Sequence, residues 1–197
     1  MDCLLVRHGI AVEPQEWDGP EARRPLTAKG MEKVREAAEG LVRLNIQLTH
    51  VASSPFTRAR QTAEILREVL RFSPEMIRWN ELLSDAPPHL LFERLAKLPK
   101  DACVLCVGHE PHLSAAAGLM IAGGPVSGLV FKKGGACFMH FEGMVKPGEA
   151  SLRWWLMAGS LSDLMTATFT AWMQSPAPSY GSCVLVPRMN ESSRAAA

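Results

Sequence analysis

The pattern of apolar and polar residues divides the first two-thirds of the chain into short apolar runs and longer amphipathic segments. Each run is bounded by polar or turn-forming residues, which is typical of a strand that is buried on both faces. The runs predict strands at residues 4–6, 50–53, 76–79 and 103–107.

The segments between these strands repeat their apolar residues at helical spacing. In the first segment Thr27 is placed to cap a helix, and the face that we expect to be buried consists of Met31, Val34, Ala38 and Leu41. The predicted helices cover residues 28–44, a segment from just behind Ser54-Pro55 to about residue 69, residues 90–98, and a segment that begins near residue 110. Strands that alternate with helices predict an α/β fold, with a mostly parallel central sheet covered by helices on both faces.

After Gly123-Gly124-Pro125 the alternation of strands and helices gives way to two strand-like runs. Strand-like runs at 136–141 and 152–156 flank a turn-rich segment and predict a β-hairpin-like pair at the end of the fold. We expect one domain over residues 1–157 and a C-terminal extension over 158–197. Charged residues are sparse in the extension, and the only element that its sequence predicts is a helix over residues 164–173. Residues 190–197 are expected to be disordered because they have nothing apolar to bury.

The composition of the chain limits the number of domains and the kinds of partner that we expect. The chain has 197 residues, 47% of them hydrophobic and 21% charged, which is enough for one well-buried domain plus an appendage. A net charge of +1 argues against nucleic acid or an anionic membrane as the main partner. Since no apolar run is long enough to span a membrane, we expect a cytoplasmic protein.

The cysteines do not predict a metal or redox site. Cys103 and Cys106 form a Cys-x-x-Cys, but they lie inside a predicted strand, where residues three apart point to opposite faces and the two sulfurs diverge. We expect the five cysteines to be buried free thiols.

Three of the predicted strands lead into residues of unusual chemistry. The first leads into Arg7-His8-Gly9, the second into a segment that contains Arg58, and the fourth into Gly108-His109. Ligands of open parallel sheets bind beyond the carboxyl ends of the strands. We therefore expect these groups to meet at one rim of the sheet.

Such a cluster of arginines and histidines requires an anion. Two unit charges about 4 Å apart repel by about 4 kcal/mol at an effective dielectric constant of about 20, and a phosphoryl dianion relieves that repulsion. Arginine binds phosphate oxygens in pairs, and the helix that begins beside His109 is expected to aim free backbone N–H groups at the same ligand. The neighbouring cations disfavour protonation of His8, which keeps its imidazole neutral, as a nucleophile must be.

Four segments carry a pattern that recurs in a known family. They are Leu4-Leu-Val-Arg-His-Gly9, Arg24-Pro-Leu-Thr-Ala-Lys-Gly30, Ser53-Ser-Pro-Phe-Thr-Arg-Ala-Arg-Gln-Thr-Ala63 and Val107-Gly-His-Glu-Pro111. In this order they resemble the histidine phosphatase superfamily, the phosphoglycerate-mutase-like group, and within it the SixA-type phosphohistidine phosphatases. The resemblance covers residues 1–157 and implies a three-layer α/β/α fold.

The resemblance also implies a role for each residue at the rim. His8 matches the family's nucleophilic histidine, which attacks phosphorus and is transiently phosphorylated before water releases phosphate. Arg7, Arg58 and His109 match the positions that complete the phosphate pocket and stabilise the transferring group. The family uses no metal or other cofactor in this chemistry, so we expect none here.

The identity of the leaving group determines whether the site needs an acid. Glu81 is the candidate proton donor, and Asp85 has less support. An imidazole with a pKa of about 6.5 departs far more easily than an alkoxide, so a phosphohistidine substrate tolerates a poor acid. The short span between the helix of Arg58 and the fourth strand leaves little room for the substrate-covering insertion of larger family members, and an open site suits a protein substrate.

The leading hypothesis is a metal-independent hydrolase that removes phosphate from phosphohistidine on a partner protein, one candidate being a histidine-phosphotransfer domain of a signalling relay. One alternative is a small-molecule phosphomonoesterase of the same superfamily. The other is a non-catalytic phosphate-binding protein, against which the presence of His8 argues.

Overall fold

The computed structural model describes residues 1–166, which form a single sheet with helices on both of its faces. The strands are β1 (Asp2–Arg7), β2 (His50–Ser53), β3 (Ile77–Arg78), β4 (Cys103–Gly108), β5 (Ala136–Phe141) and β6 (Ala150–Leu156). The α-helices are α1 (Ala28–Arg43), α2 (Thr57–Val69), α3 (Pro88–Leu95), α4 (His112–Ala122) and α5 (Ala158–Thr166). Short 3-10 turns lie at Pro14–Glu16, Glu21–Arg23 and Asn80–Leu82.

The sheet has the strand order β3-β2-β4-β1-β5-β6. The first four of these strands run parallel to one another, whereas β5 is antiparallel to β1 and β6 is antiparallel to β5. This confirms the mostly parallel sheet and the hairpin-like pair at its end. β1 and β4 are direct neighbours, and Arg7 lies opposite Gly108 in their register. The ends of these two strands are therefore side by side.

Side chains alternate along β1 between two hydrophobic cores. Leu4 and Val6 belong to the core beneath α1, α2 and α5, whereas Cys3 and Leu5 belong to the core beneath α3 and α4. All four are buried, which explains why the strand is apolar at successive positions. Helices α1, α2 and α5 thus form one outer layer and α3 and α4 the other, which confirms the three-layer α/β/α architecture.

The first helix begins as its capping residue predicts. Thr27 is the N-cap of α1, and its hydroxyl accepts a hydrogen bond from the Gly30 amide at 2.9 Å; such a cap contributes about 1 kcal/mol. Val34, Ala38 and Leu41 are buried as predicted, but Met31 is 40% exposed, so the prediction that its side chain is buried is wrong. Periodicity gives the angular face of a helix but not how far the neighbouring elements extend along it.

Helix α5 lies beyond the boundary expected at residue 157 and packs on α1. A Cβ atom at Gly40 would overlap the carbonyl oxygen of Leu161, so this close approach requires glycine at position 40. Leu161 is 1% exposed and joins the core beneath α1 and α2. Leu161 of α5 therefore contributes to the core of the domain, and the end expected to be disordered, 190–197, lies outside the described residues.

The described residues bear on two predictions from the sequence, the burial of the cysteines and the lack of a membrane-spanning segment. Cys3, Cys103, Cys106 and Cys137 are buried and free, as predicted, while Cys183 lies outside the described residues. In the described part of the chain, no helix combines the length and the apolar character that a membrane crossing requires.

Candidate active site

His8 stands at the carboxyl end of β1, at the centre of the candidate site, and its side chain is buried. Its backbone amide continues the β1–β4 ladder by donating to the Gly108 carbonyl at 3.1 Å. The Nδ1 atom lies 2.7 Å from the Gly9 carbonyl oxygen. Because a carbonyl can only accept, Nδ1 carries the proton and Nε2 keeps its lone pair. Nε2 in turn accepts a hydrogen bond of 3.2 Å from Nε of Arg58.

Arg58 lies in the first turn of α2. Two residues that follow Arg58 in the sequence, Gln61 and Thr62, hold this helix against the end of β1 and the loop before α1. The Thr62 hydroxyl accepts from the Gly9 amide at 3.1 Å and donates to the Arg58 carbonyl at 2.7 Å. Gln61 accepts from the Leu26 amide at 2.8 Å, which holds the loop before α1. The Arg-Ala-x-Gln-Thr string thus supplies both a functional side chain and the contacts that place it.

His109 follows β4 and faces His8, with 5.0 Å between the ring centroids. Its Nε2 lies 2.8 Å from the Ser54 hydroxyl, which also accepts a long hydrogen bond of 3.4 Å from the Phe56 amide. When the Ser54 hydroxyl donates its proton to Nε2, the proton of the neutral imidazole lies on Nδ1. That Nδ1 atom is buried and has no hydrogen-bond partner among the described residues. An N–H group so placed can donate to a ligand oxygen.

Arg7, the last residue of β1, is oriented by the loop that precedes β5. Its Nη1 donates to the Phe131 carbonyl at 2.6 Å. The Phe131 amide donates to the Glu110 carboxylate at 3.2 Å, and the same carboxylate oxygen accepts from the Ser114 hydroxyl at 2.8 Å. Glu110 thus holds Phe131, the residue whose carbonyl oxygen accepts the hydrogen bond from Arg7.

The outer edge of Arg58 contacts Glu21, a residue that the sequence did not single out. Oε1 of Glu21 lies 3.1 Å from Nη2 of Arg58. Glu21 lies three residues before Arg24, which opens one of the family-like segments. This spacing of three residues is a sequence signal for the ion pair between Glu21 and Arg24, but it does not indicate the contact with Arg58.

The electrostatics of the cluster keep both histidines neutral. The pKa of His8 is lowered to about 3, mainly because burial penalises the imidazolium and secondly because the Arg58 and Arg7 charges lie close by. Burial, with His8 and Arg58 nearby, lowers the pKa of His109 to about 2. The predicted neutrality of His8 is confirmed, but its main cause is burial rather than the neighbouring cations. An anion that enters this cluster meets two guanidinium groups and two uncharged imidazoles.

The two candidate proton donors are not brought into this cluster by any contact in the described part of the chain. Glu81 lies in the turn after β3, and its Oε1 is 3.1 Å from Nε of Arg94 on α3. Arg94 also stacks on the Trp79 ring, with 5.5 Å between its Cζ atom and the ring centroid. No hydrogen bond or ion pair within residues 1–166 joins Glu81 or Asp85 to His8, so their suggested role stays a prediction.

Residues that could hold a metal ion are not grouped in the part of the chain that the structure describes. No cluster of three or more His, Cys, Asp or Glu side chains is arranged there as a metal site. The groups that converge at the rim are instead hydrogen-bond donors and guanidinium cations, which suit an oxyanion.

His8, Arg58 and His109 meet at the carboxyl ends of β1, β2 and β4, and comparison with known proteins identifies the family. Residues 3–83 match the family model of the histidine phosphatase superfamily (branch 1). The chain belongs to the histidine phosphatase superfamily.

Two kinds of relative accompany the family match. An uncharacterized protein from Picosynechococcus sp. is 31% identical over 136 residues, which cover 68% of this chain and 82% of the relative. The structure of the protein histidine phosphatase SixA in complex with tungstate superposes with a TM-score of 0.72 at 23% identity, over 82% of this chain and 99% of SixA. A phosphoserine phosphatase mutant from Entamoeba histolytica, in complex with phosphoserine, has a TM-score of 0.59 at 15% identity, over 81% of this chain and 98% of that one. These structural matches show a shared fold.

Proposed function

We propose that this protein is a phosphatase that works through a covalent phosphohistidine on His8, with Arg7, Arg58 and His109 as the phosphate pocket. The observation that carries the proposal is the state of His8. Its imidazole is buried and neutral, the Gly9 carbonyl holds the proton on Nδ1, and the Nε2 lone pair faces Arg58. A nucleophilic histidine needs this tautomer and this charge state.

The reaction follows from the contacts of these side chains. Nε2 of His8 attacks phosphorus, a P–N bond forms, and the bond from phosphorus to the leaving group breaks with its electron pair on the leaving group. As the phosphoryl group arrives, the Nε–H of Arg58 exchanges the His8 lone pair for a phosphoryl oxygen, while Nδ1–H of His109 donates to another. Water then attacks the phosphorus of phosphorylated His8, the P–N bond breaks with its electron pair on Nε2, and phosphate leaves with both protons of the water. Fixed donors around the transferring group stabilise its charge in both steps.

The proposed substrate is phosphohistidine on a protein, with a cytoplasmic histidine-phosphotransfer domain as the candidate partner. The support is the acid chemistry of the site. The carboxylate in contact with the cluster, that of Glu21, has a lowered pKa because Arg24 donates hydrogen bonds to it and Arg58 lies beside it, so it is a poor proton donor. The Glu81 carboxylate is paired with Arg94. An imidazole leaving group with a pKa of about 6.5 needs the least help from an acid.

A small-molecule phosphomonoesterase is the second candidate. Proteins of the same fold include a glucosyl-3-phosphoglycerate phosphatase from mycobacteria, with a TM-score of 0.59 at 17% identity over 79% of this chain and 98% of that one. This relative and the phosphoserine phosphatase are both named for phosphate esters, which supports the second candidate. This candidate requires an acid for the alkoxide, and Glu81 is the residue that we assign to that role.

A substrate panel distinguishes the two candidates. Initial rates are measured with a phosphohistidine peptide and with a set of small phosphate esters, with His8→Ala as the control for each substrate. We expect kcat/KM to be highest for the phosphohistidine peptide and Glu81→Gln to leave that value nearly unchanged. A clear preference for one ester, together with a strong loss of rate in Glu81→Gln, would favour the esterase and reject the protein substrate.

A further inference from the structure

Arg58 is held along two of its edges by different partners. An arginine has five N–H donors, and the structure shows where three of them point. Nε donates to His8 Nε2 at 3.2 Å. Nη1 donates to the Glu21 carbonyl oxygen at 3.2 Å, and Nη2 pairs with Glu21 Oε1 at 3.1 Å. Glu21 thus occupies the edge that faces away from His8, and two N–H groups remain for an anion in addition to the Nε–H.

Glu21 is itself fixed by a second arginine. Arg24 forms a fork on the carboxylate, with Nε 2.8 Å from Oε2 and Nη2 2.8 Å from Oε1. Nη1 of Arg24 also donates to the Val12 carbonyl at 2.5 Å. A bidentate fork of this kind sets both distance and orientation.

Burial makes this arrangement more effective than an ordinary surface ion pair. The Arg58 and Arg24 side chains are 7% and 12% exposed, whereas that of Glu21 is 54% exposed. Isolated exposed pairs contribute little, but here one carboxylate bridges two guanidinium groups, of which that of Arg58 is buried and that of Arg24 is partly buried. It also separates two positive charges that would otherwise repel each other.

We propose that Glu21 is a positioning residue, which fixes the Arg58 guanidinium so that its Nε–H and free Nη–H groups point to the phosphoryl site beside His8. This role rests on the proposed function, because the pocket it prepares is the one assigned to the phosphoryl group. Glu21 acts through Arg58 and takes no part in bond making. Without the carboxylate, the side chain of Arg58 keeps its charge and its bond to the carbonyl of residue 21 but loses the ion pair that holds Nη2.

Two measurements on the full chain test this role without a need for turnover. The variant is Glu21→Gln, and its matched control is Glu16→Gln, which removes the same charge from an exposed residue of the neighbouring turn at Pro14–Glu16. The first measurement is the ¹H–¹⁵N heteronuclear NOE of the Arg58 Nε–H group, which reports whether the guanidinium is held. The second is the affinity for tungstate by calorimetry. Arg24→Lys, which keeps the charge but removes the fork, is a second, independent variant.

In the wild type and in Glu16→Gln we expect a rigid Arg58 Nε–H and the same tungstate affinity. In Glu21→Gln we expect the NOE to fall and tungstate to bind about tenfold more weakly, the loss expected for a charge-assisted hydrogen-bond network; Arg24→Lys should show a smaller change in the same direction. An unchanged NOE and tungstate affinity in Glu21→Gln would overturn the positioning role. A wild type that binds no tungstate would count against the phosphate pocket itself, and the NOE would still decide the role of Glu21.

Discussion

Acidification should destabilise this protein because it buries neutral histidines. On unfolding, His8 returns from a pKa of about 3 to its ordinary value of 6.5. Between these values the unfolded chain binds a proton that the folded protein does not, so the free energy of unfolding falls as the pH falls from about 6.5 towards 3. From pH 7 to pH 5 this linkage lowers stability by about 2 kcal/mol for His8. His109, with a pKa of about 2, adds a loss of similar size.

The assay is urea unfolding of the wild type and of His8→Gln at both pH values. We expect the pH-dependent loss of stability to be smaller by about 2 kcal/mol in His8→Gln, because the variant has no imidazole to protonate in the unfolded chain. Comparing the two losses cancels the contributions of the groups that do not interact with His8. His89→Gln, at an exposed position, should behave as the wild type. An equal loss in the wild type and in His8→Gln would refute a buried neutral His8.

Two substitutions test the contacts that build the site and its support. Thr62→Val removes the acceptor of the buried Gly9 amide while keeping the side-chain shape, so it should lower the free energy of unfolding in urea by about 1–3 kcal/mol and lower kcat. Thr62→Ser keeps the hydroxyl and should keep the wild-type stability and kcat. Wild-type stability and kcat in Thr62→Val would contradict the role of this hydroxyl. Alanine usually stabilises a helix over glycine by about 1 kcal/mol, but Gly40→Ala should destabilise the protein in thermal unfolding because its Cβ would overlap the Leu161 carbonyl. Gly159→Ala, in α5, where the added Cβ meets nothing within 4 Å, is the matched helical control, and an equal effect of both changes would contradict the packing of α5 on α1.

The strands and the convergence of the site could be predicted because local rules determine them. A strand such as β4 that is buried on both faces must be apolar throughout, and parallel strands bring their carboxyl ends to one edge. Those two facts place His8 and His109 together before any distance is known. The pairing of Thr27 with the Gly30 amide follows in the same way from the chemistry of a helix N-terminus.

Features that depend on the path of loops, or on contacts distant in sequence, could not be predicted. Glu21 reaches Arg58 across 37 residues, and nothing in the local pattern indicates where its loop turns. The packing of α5 depends on the missing side chain of Gly40, a property of a pair of helices rather than of either one. The low pKa of His8 has burial as its main cause, which the sequence pattern alone does not measure.

The central claim is that His8 carries the phosphoryl group during turnover, and rapid quench with a ³²P-labelled phosphohistidine peptide tests it directly. We expect the wild type to show acid-labile, base-stable label on the protein within the first turnover and His8→Ala to show none. A wild type that hydrolyses the peptide without ever becoming labelled, or a His8→Ala variant that labels to the same extent, would contradict it.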